Sequence, residues 1–145
     1  MSSIEIIARA LIEENGRVLL CHGKGKENWF FPGGHVEDGE SAPDALLREL
    51  DEEFGGVGTI ERFLGASENK FEIDGQVTHE VNLVFKVSIK DNTVYDSKEE
   101  HLEFAWFKQE DVRDMKVFPL SLRDTLFPLA SVGTDNTPFW ASEGF

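Results

Sequence analysis

The sequence predicts one α/β or α+β domain organised around a mixed β-sheet. Three observations lead there: a segment rich in β-branched residues from Ile4 to Ile12, one amphipathic helix beginning near Ser41, and a long apolar alternation from Val77 to Ile89. Strands on both sides of a single central helix require a sheet whose connections are not all hairpins. At 145 residues, with 40% hydrophobic and 11% aromatic side chains, the chain suits a single domain spanning 1–145 with a true core.

Taken in order, Ile4 to Ile12 reads as a strand, Asn15-Gly16 as a turn, and Val18-Leu19-Leu20 as a second extended segment. Trp29-Phe30-Phe31 is a short apolar run that ends in the loop Pro32-Gly33-Gly34. Ser41 is a helix N-cap, with Asp44 three residues on in an approximate capping box. Leu46, Leu47, Leu50 and Phe54 share one face at about 100° per residue, and Gly55-Gly56 stops the helix. Asp74-Gly75 turns a strand ending Phe71-Glu72-Ile73 into the next, where Val77, His79, Val81, Leu83, Phe85, Val87 and Ile89 alternate. Phe104 to Phe107 is a further strand, and Glu110 to Met115 and Ser121 to Leu129 are closing helices. The tail 131–145 has turn composition, but its Phe139-Trp140 pair is suited to docking on the body.

Charge narrows the function. Fourteen Lys and Arg against 28 Asp and Glu leave a formal net charge of −14. Such a chain repels polyanions, so neither non-specific nucleic-acid binding nor attachment to anionic membranes is expected. A phosphorylated substrate would need cations to bridge it to the protein. No apolar run approaches the roughly 20 residues of a bilayer span, the N-terminus lacks a secretion signal, and the lone Cys21 forms no internal disulfide. The expectation is a cytoplasmic protein, with Cys21 a small buried hydrophobe.

The helix carries an unusual second face. Glu49, Glu52 and Glu53 fall at i, i+3 and i+4, within an arc of about 100°. Like charges so placed cost roughly 0.2–0.5 kcal/mol per pair in an isolated helix. Glu53 also borders the apolar stripe, where burial worsens the repulsion unless a cation resides there. Arg48 is positioned to hold one of the carboxylates. Clustered carboxylates are what Mg²⁺ needs, together with waters, substrate phosphates and a backbone carbonyl from the side-chain-poor Pro32-Gly33-Gly34. The Glu spacing by itself suits a solvated acidic face at least as well.

The full pattern is more specific. From Gly34 the chain reads Gly, five residues, Glu40, seven residues, Arg48-Glu49-Leu50, one residue, Glu52-Glu53, one residue, Gly55. Each residue type is on the order of 5–10% of ordinary sequence, so eight ungapped matches arise by chance less than about once in a million. This segment, 34–56, resembles the box of the Nudix (MutT-like) hydrolases, and the lead-in Trp29-x-x-Pro32-Gly33-Gly34 is similar to that family too. One position departs: Gly56 stands where an aliphatic residue is expected, with Val57 next.

The resemblance, looser over residues 3–130, implies an α/β/α sandwich around a mixed sheet. It implies hydrolysis of a nucleoside diphosphate linked to another moiety, by water attack at phosphorus with Mg²⁺, for which Mn²⁺ can substitute. On the matching positions, Glu52 and Glu53 would bind metal, the Gly34 carbonyl would add a ligand, and Glu49 would be a ligand or general base oriented by Arg48. Glu40 would be structural. A further acid is expected from outside the box; Glu100 is the choice, with Glu99, Glu103 and Glu80 as rivals, and Glu80 is also a candidate to bind substrate.

Several other residues have weaker cases. Trp29 at a strand end is a candidate to stack on a base, with a place in the core as its alternative. Lys24, with Lys26, sits in a loop within reach of phosphate. His79 alternates with apolar neighbours and reads as a satisfied core histidine. His22 and His35 read as solvated loop positions. The region of Phe71 to Asp74 has neither the proline that marks some ADP-ribose subgroups nor the tyrosine of dinucleoside polyphosphate subgroups, and the only tyrosine is Tyr95. The expected substrate is therefore a nucleoside triphosphate. ADP-ribose, nucleotide sugars and dinucleoside polyphosphates are the alternatives, as is a non-catalytic nucleotide-binding module. A homodimer is compatible with all of these.

Overall fold

The structure is a computed structural model, and it describes residues 3–55, 57–90, 97–127 and 137–145. Gly56 and Tyr95 lie outside the described residues, as does most of the early tail. Elements follow in the order β1 (Ile4–Leu11), β2 (Glu13–Glu14), β3 (Arg17–Gly23), β4 (Trp29–Phe30), β5 (Gly33–His35), α1 (Ala42–Phe54), β6 (Gly58–Ile73) and β7 (Gln76–Ile89). Then come β8 (Leu102–Lys108), α2 (Gln109–Val112), α3 (Leu120–Leu126) and β9 (Phe139–Glu143).

The principal sheet is five-stranded in the order β5-β1-β7-β6-β9. It is mixed as expected: β1 and β7 run parallel, as do β6 and β9, while β5–β1 and β6–β7 are antiparallel. A second, antiparallel sheet, β2-β3-β4 with β8 on the other side of β3, was not foreseen as separate. Two apolar clusters result. One joins Ala8, Ala10, Leu46, Leu50, Phe54, Phe85 and Val87, seating α1 on the principal sheet. The other joins Leu11, Leu20, Phe31, Val84, Leu122 and Leu126 beneath the two short helices.

Local chemistry sets the frame of α1. Ser41 Oγ accepts the Asp44 N–H at 3.2 Å, and Gly55 closes the helix in the left-handed region at φ 71°, donating to the Asp51 carbonyl. Asn15 and Gly16 both take positive φ, joining β2 to β3 tightly.

Three sequence expectations change. Gly33–His35 is not loop but a short strand on β1, with Gly33 opposite Arg9 and Gly34 opposite Ala8. Gly33 at φ 141° lies so close to the Ala8 carbonyl that a Cβ would collide with it, so only glycine fits. The β7 alternation holds for Phe85, Val87 and Ile89, but Val77 is exposed, whereas Asn82 and Val84 on the opposite phase are fully buried. A central strand packed on both faces buries both phases. His79 is not a satisfied core histidine: it is half-buried against the Phe145 ring, and its Nε2, 3.7 Å from Glu68, has no hydrogen-bond partner among the described residues.

In the tail, β9 adds to the edge of β6, and Phe139 packs against the second cluster while Trp140 is exposed. Among the described residues no helix is long and apolar enough to cross a membrane.

Candidate functional site

The box residues meet β5 and the β7–β8 connection in one open cleft, lined by Arg9, Gly33, Gly34, Glu49, Glu53 and Glu99 among others. Three pieces of backbone build it. The last turns of α1 carry the carboxylates, the two glycines of β5 run beneath them, and the 97–99 segment closes the side. Lys98 N–H donates to the Glu53 carbonyl at 2.7 Å, fixing that segment to the helix end. Ser97 Oγ donates to the Glu99 carbonyl at 2.7 Å and accepts the Glu99 N–H at 3.0 Å.

Arg48 organises the acidic face. Its Nε donates to Glu40 Oε2 at 2.7 Å and its Nη2 to Glu40 Oε1 at 3.0 Å, a two-pronged pair. Nη2 also donates to the His35 carbonyl at 3.1 Å, and Nη1 reaches Glu49 Oε1 at 3.0 Å and Glu52 at 3.3 Å. The Arg48 hydrogen bond holds the Glu40 carboxyl below its usual range. One guanidinium thus relieves the repulsion that the Glu spacing creates. Glu40 acts through Arg48, Glu49 faces the cleft, and Glu52 is exposed and does not line it.

Glu53 is the electrostatic anomaly. It is buried, and its Oε2 has no hydrogen-bond partner among the described residues. Burial first, then the Glu49 charge, pushes its carboxyl up to about 8, against the pull of Arg9 and of the Gly33 N–H; Glu99 pushes it further. A buried carboxylate oxygen with no donor is a poor arrangement for stability and a suitable one for a hard cation. The oxygen donors of Glu49, Glu53 and Glu99 fit such an ion. Gly34 adds to the fit: a Cβ there would stand 2.6 Å from Glu49 Oε2, so the glycine keeps the backbone against the carboxylate. Among the described residues no three acidic or imidazole groups already converge as a ready metal set; Arg48 instead gathers Glu49 and Glu52.

The remaining candidates separate. Glu100 and Lys24 line a neighbouring depression with Lys98 and Glu103, so the cleft receives Glu99 rather than Glu100. Trp29 stacks on His22 with centroids 3.9 Å apart and packs edge-on against Phe107. His35 is exposed, 3.4 Å from Glu5. Cys21 is buried, and desolvation pushes its thiol up to about 12. Glu80 faces a different cavity of about 410 Å³, where Asn69 Nδ2 donates to its Oε1 at 3.2 Å.

Sequence reasoning passed over Arg9, which lines both the acidic cleft and this second cavity. It donates to Asn82 Oδ1 at 3.2 Å and to the Phe31 carbonyl at 3.1 Å. A lone cation inside the apolar strand IEIIARAL was the available signal, matched by Asn82 amid the apolar run of β7.

A family model described as NUDIX domain matches residues 4–126. The CTP pyrophosphohydrolase of Escherichia coli is 36% identical over 83 residues, covering 54% of this chain and only 59% of that protein. The nucleoside triphosphatase NudI of Escherichia fergusonii is 31% identical over 114 residues, 70% of this chain and 80% of its own length. Among solved structures, the mutator MutT protein of Bacillus halodurans matches with a TM-score of 0.70 at 19% identity, covering 95% of this chain and 88% of that one, a likeness of fold. With residues 4–126 matched, and Glu49 and Glu53 of the box lining one cleft, the chain belongs to the Nudix family of hydrolases.

Proposed function

We propose that the chain is a magnesium-dependent pyrophosphohydrolase of nucleoside triphosphates, releasing a nucleoside monophosphate and pyrophosphate. The observation that carries this reading is Glu53, buried in a cleft that Glu49, Glu99 and the Gly33–Gly34 backbone also line, with one carboxylate oxygen that has no hydrogen-bond partner among the described residues. Glu53 and Glu99, with the Gly34 carbonyl, would hold the metal, and Glu52, which does not line the cleft as it stands, would join them by turning from Arg48; Mn²⁺ suits the same oxygen donors. When bound, it offsets charge on the phosphoryl oxygens and acidifies water. Arg48 holds only Oε1 of Glu49, which leaves Oε2 to take the proton from the attacking water. Water oxygen bonds to phosphorus, the anhydride P–O bond breaks, and the electron pair leaves with pyrophosphate. The names of the E. coli and E. fergusonii relatives support a nucleoside triphosphate substrate.

The test is a product assay with magnesium across nucleoside triphosphates, ADP-ribose, nucleotide sugars and dinucleoside polyphosphates, with Glu53→Gln alongside. Pyrophosphate release from triphosphates, lowered at least about 100-fold in Glu53→Gln and in Glu49→Gln, is expected. Near-normal turnover in either variant sinks its assignment. Cleavage of none of the panel sinks the hydrolase reading.

A further inference from the structure

The second cavity, beside the acidic cleft and sharing Arg9 with it, has walls built from Phe30, Phe71 and Phe118 and two acidic side chains: Glu80, half-buried on β7, and Glu143, whose Oε1 already accepts from the Ser121 N–H and hydroxyl. Behind Glu80 runs a directional chain of hydrogen bonds. Arg9 Nε donates to Asn82 Oδ1 at 3.2 Å, Asn82 Nδ2 donates to Asn69 Oδ1 at 3.0 Å, and Asn69 Nδ2 donates to Glu80 Oε1 at 3.2 Å. Arg9 can only donate, so it forces the oxygen of Asn82 toward itself and sets each amide in turn. Asn82 and Asn69 are buried, so neither amide has water as an easy alternative partner. The relay ends on a carboxylate that accepts, among the described residues, one of the roughly four hydrogen bonds it can take.

We infer that this cavity holds the nucleobase of the substrate, and that Glu80 selects bases that present an exocyclic amine. This rests on the nucleotide-hydrolase reading for the phosphate end only. Aromatic and apolar walls accept the face of any base. A fixed, acceptor-only group at the edge does not: cytosine, adenine and guanine offer it an exocyclic amino N–H, whereas uracil and thymine offer only the ring N3–H, flanked on both sides by carbonyl oxygens that repel a carboxylate. An isolated Glu80 could rotate away. Held by Asn69, it is kept aimed. Asn69 is therefore a positioning residue, and Arg9 ties the base end to the acidic cleft.

The experiment is an amide chemical-shift titration of the protein with CMP, AMP, GMP and UMP in magnesium buffer, repeated on Glu80→Gln. Shifts around Glu80, Asn69 and Phe71 are expected, with the three amino-bearing nucleotides binding at least about tenfold more tightly than UMP. In Glu80→Gln, whose amide both donates and accepts, the preference should collapse to within about threefold, chiefly by a gain for UMP. Equal affinities in the parent protein, a preference unchanged in Glu80→Gln, or no shifts at those residues with any nucleotide would each overturn the inference. The parent panel decides alone should the variant fail to fold. Base-selective binding without hydrolysis would sink the proposed function and leave this inference standing; hydrolysis without base preference would do the reverse.

Discussion

Lys98 donates its backbone N–H to the carbonyl of Glu53 at 2.7 Å, so the segment that carries Glu99 is anchored on the same turn of helix as the buried carboxylate. Glu99 borders both the cleft with Glu53 and the adjoining depression, while its neighbour Glu100 lines the depression alone. Glu99→Gln should lower kcat at least about tenfold and raise the magnesium needed for half-maximal rate, as for loss of a metal ligand. Glu100→Gln should stay within about twofold of the parent. Steady-state rates against magnesium concentration check both, and the opposite ranking would return the role to Glu100.

Glu53 makes metal-free stability depend on pH. Folded, its carboxyl is pushed up to about 8 from the ordinary carboxylate value of 4.5. Between those values the folded state holds a proton that the unfolded state has lost, so stability falls as pH rises through that window. Glu53→Gln has no proton to lose. In chelator, the melting temperature of Glu53→Gln relative to the parent should rise by at least about 3 °C between about pH 5 and pH 9. Magnesium should raise the parent's melting temperature at the upper pH and barely move the variant's.

Gly33 and Gly34 should respond differently to alanine. Gly33 sits at φ 141° against the Ala8 backbone, so Gly33→Ala forces β5 away from β1 and should lower the melting temperature by about 5 °C or more. At Gly34 the new methyl group meets a side chain, with Glu49 Oε1 at 2.7 Å. Gly34→Ala should therefore cost about tenfold or more in kcat with a smaller loss of stability. Thermal melts beside rate measurements separate the two.

Arg48 bonds two oxygens of Glu40 and still reaches Glu49 and the His35 carbonyl. Lysine keeps the charge but cannot reproduce that fork. Arg48→Lys should lower kcat at least about tenfold with little change in KM, because Glu49 loses its orientation. Glu40→Gln, which keeps one acceptor for the guanidinium, should cost less. A Lys variant with parental kcat would reduce Arg48 to a neutralising charge.

The central helix, its caps, the shared face of the box carboxylates and the β6–β7 hairpin were all legible in the amino-acid order, since each rests on local chemistry. Ser41 caps because its side chain meets an N–H three residues on, and Glu49, Glu52 and Glu53 share a face because of helical pitch. Tertiary structure decided the rest. Whether Glu99 or Glu100 enters the cleft depends on a backbone hydrogen bond to a residue more than forty positions earlier. Gly33 is strand rather than loop because β1 lies beside it. Arg9, Asn82, Asn69 and Glu80 form a relay only because β1, β7 and β6 are adjacent in the sheet. Spacing along a chain fixes what one helix or turn presents; which distant polar groups share a low-dielectric cavity is fixed only when the sheet order is.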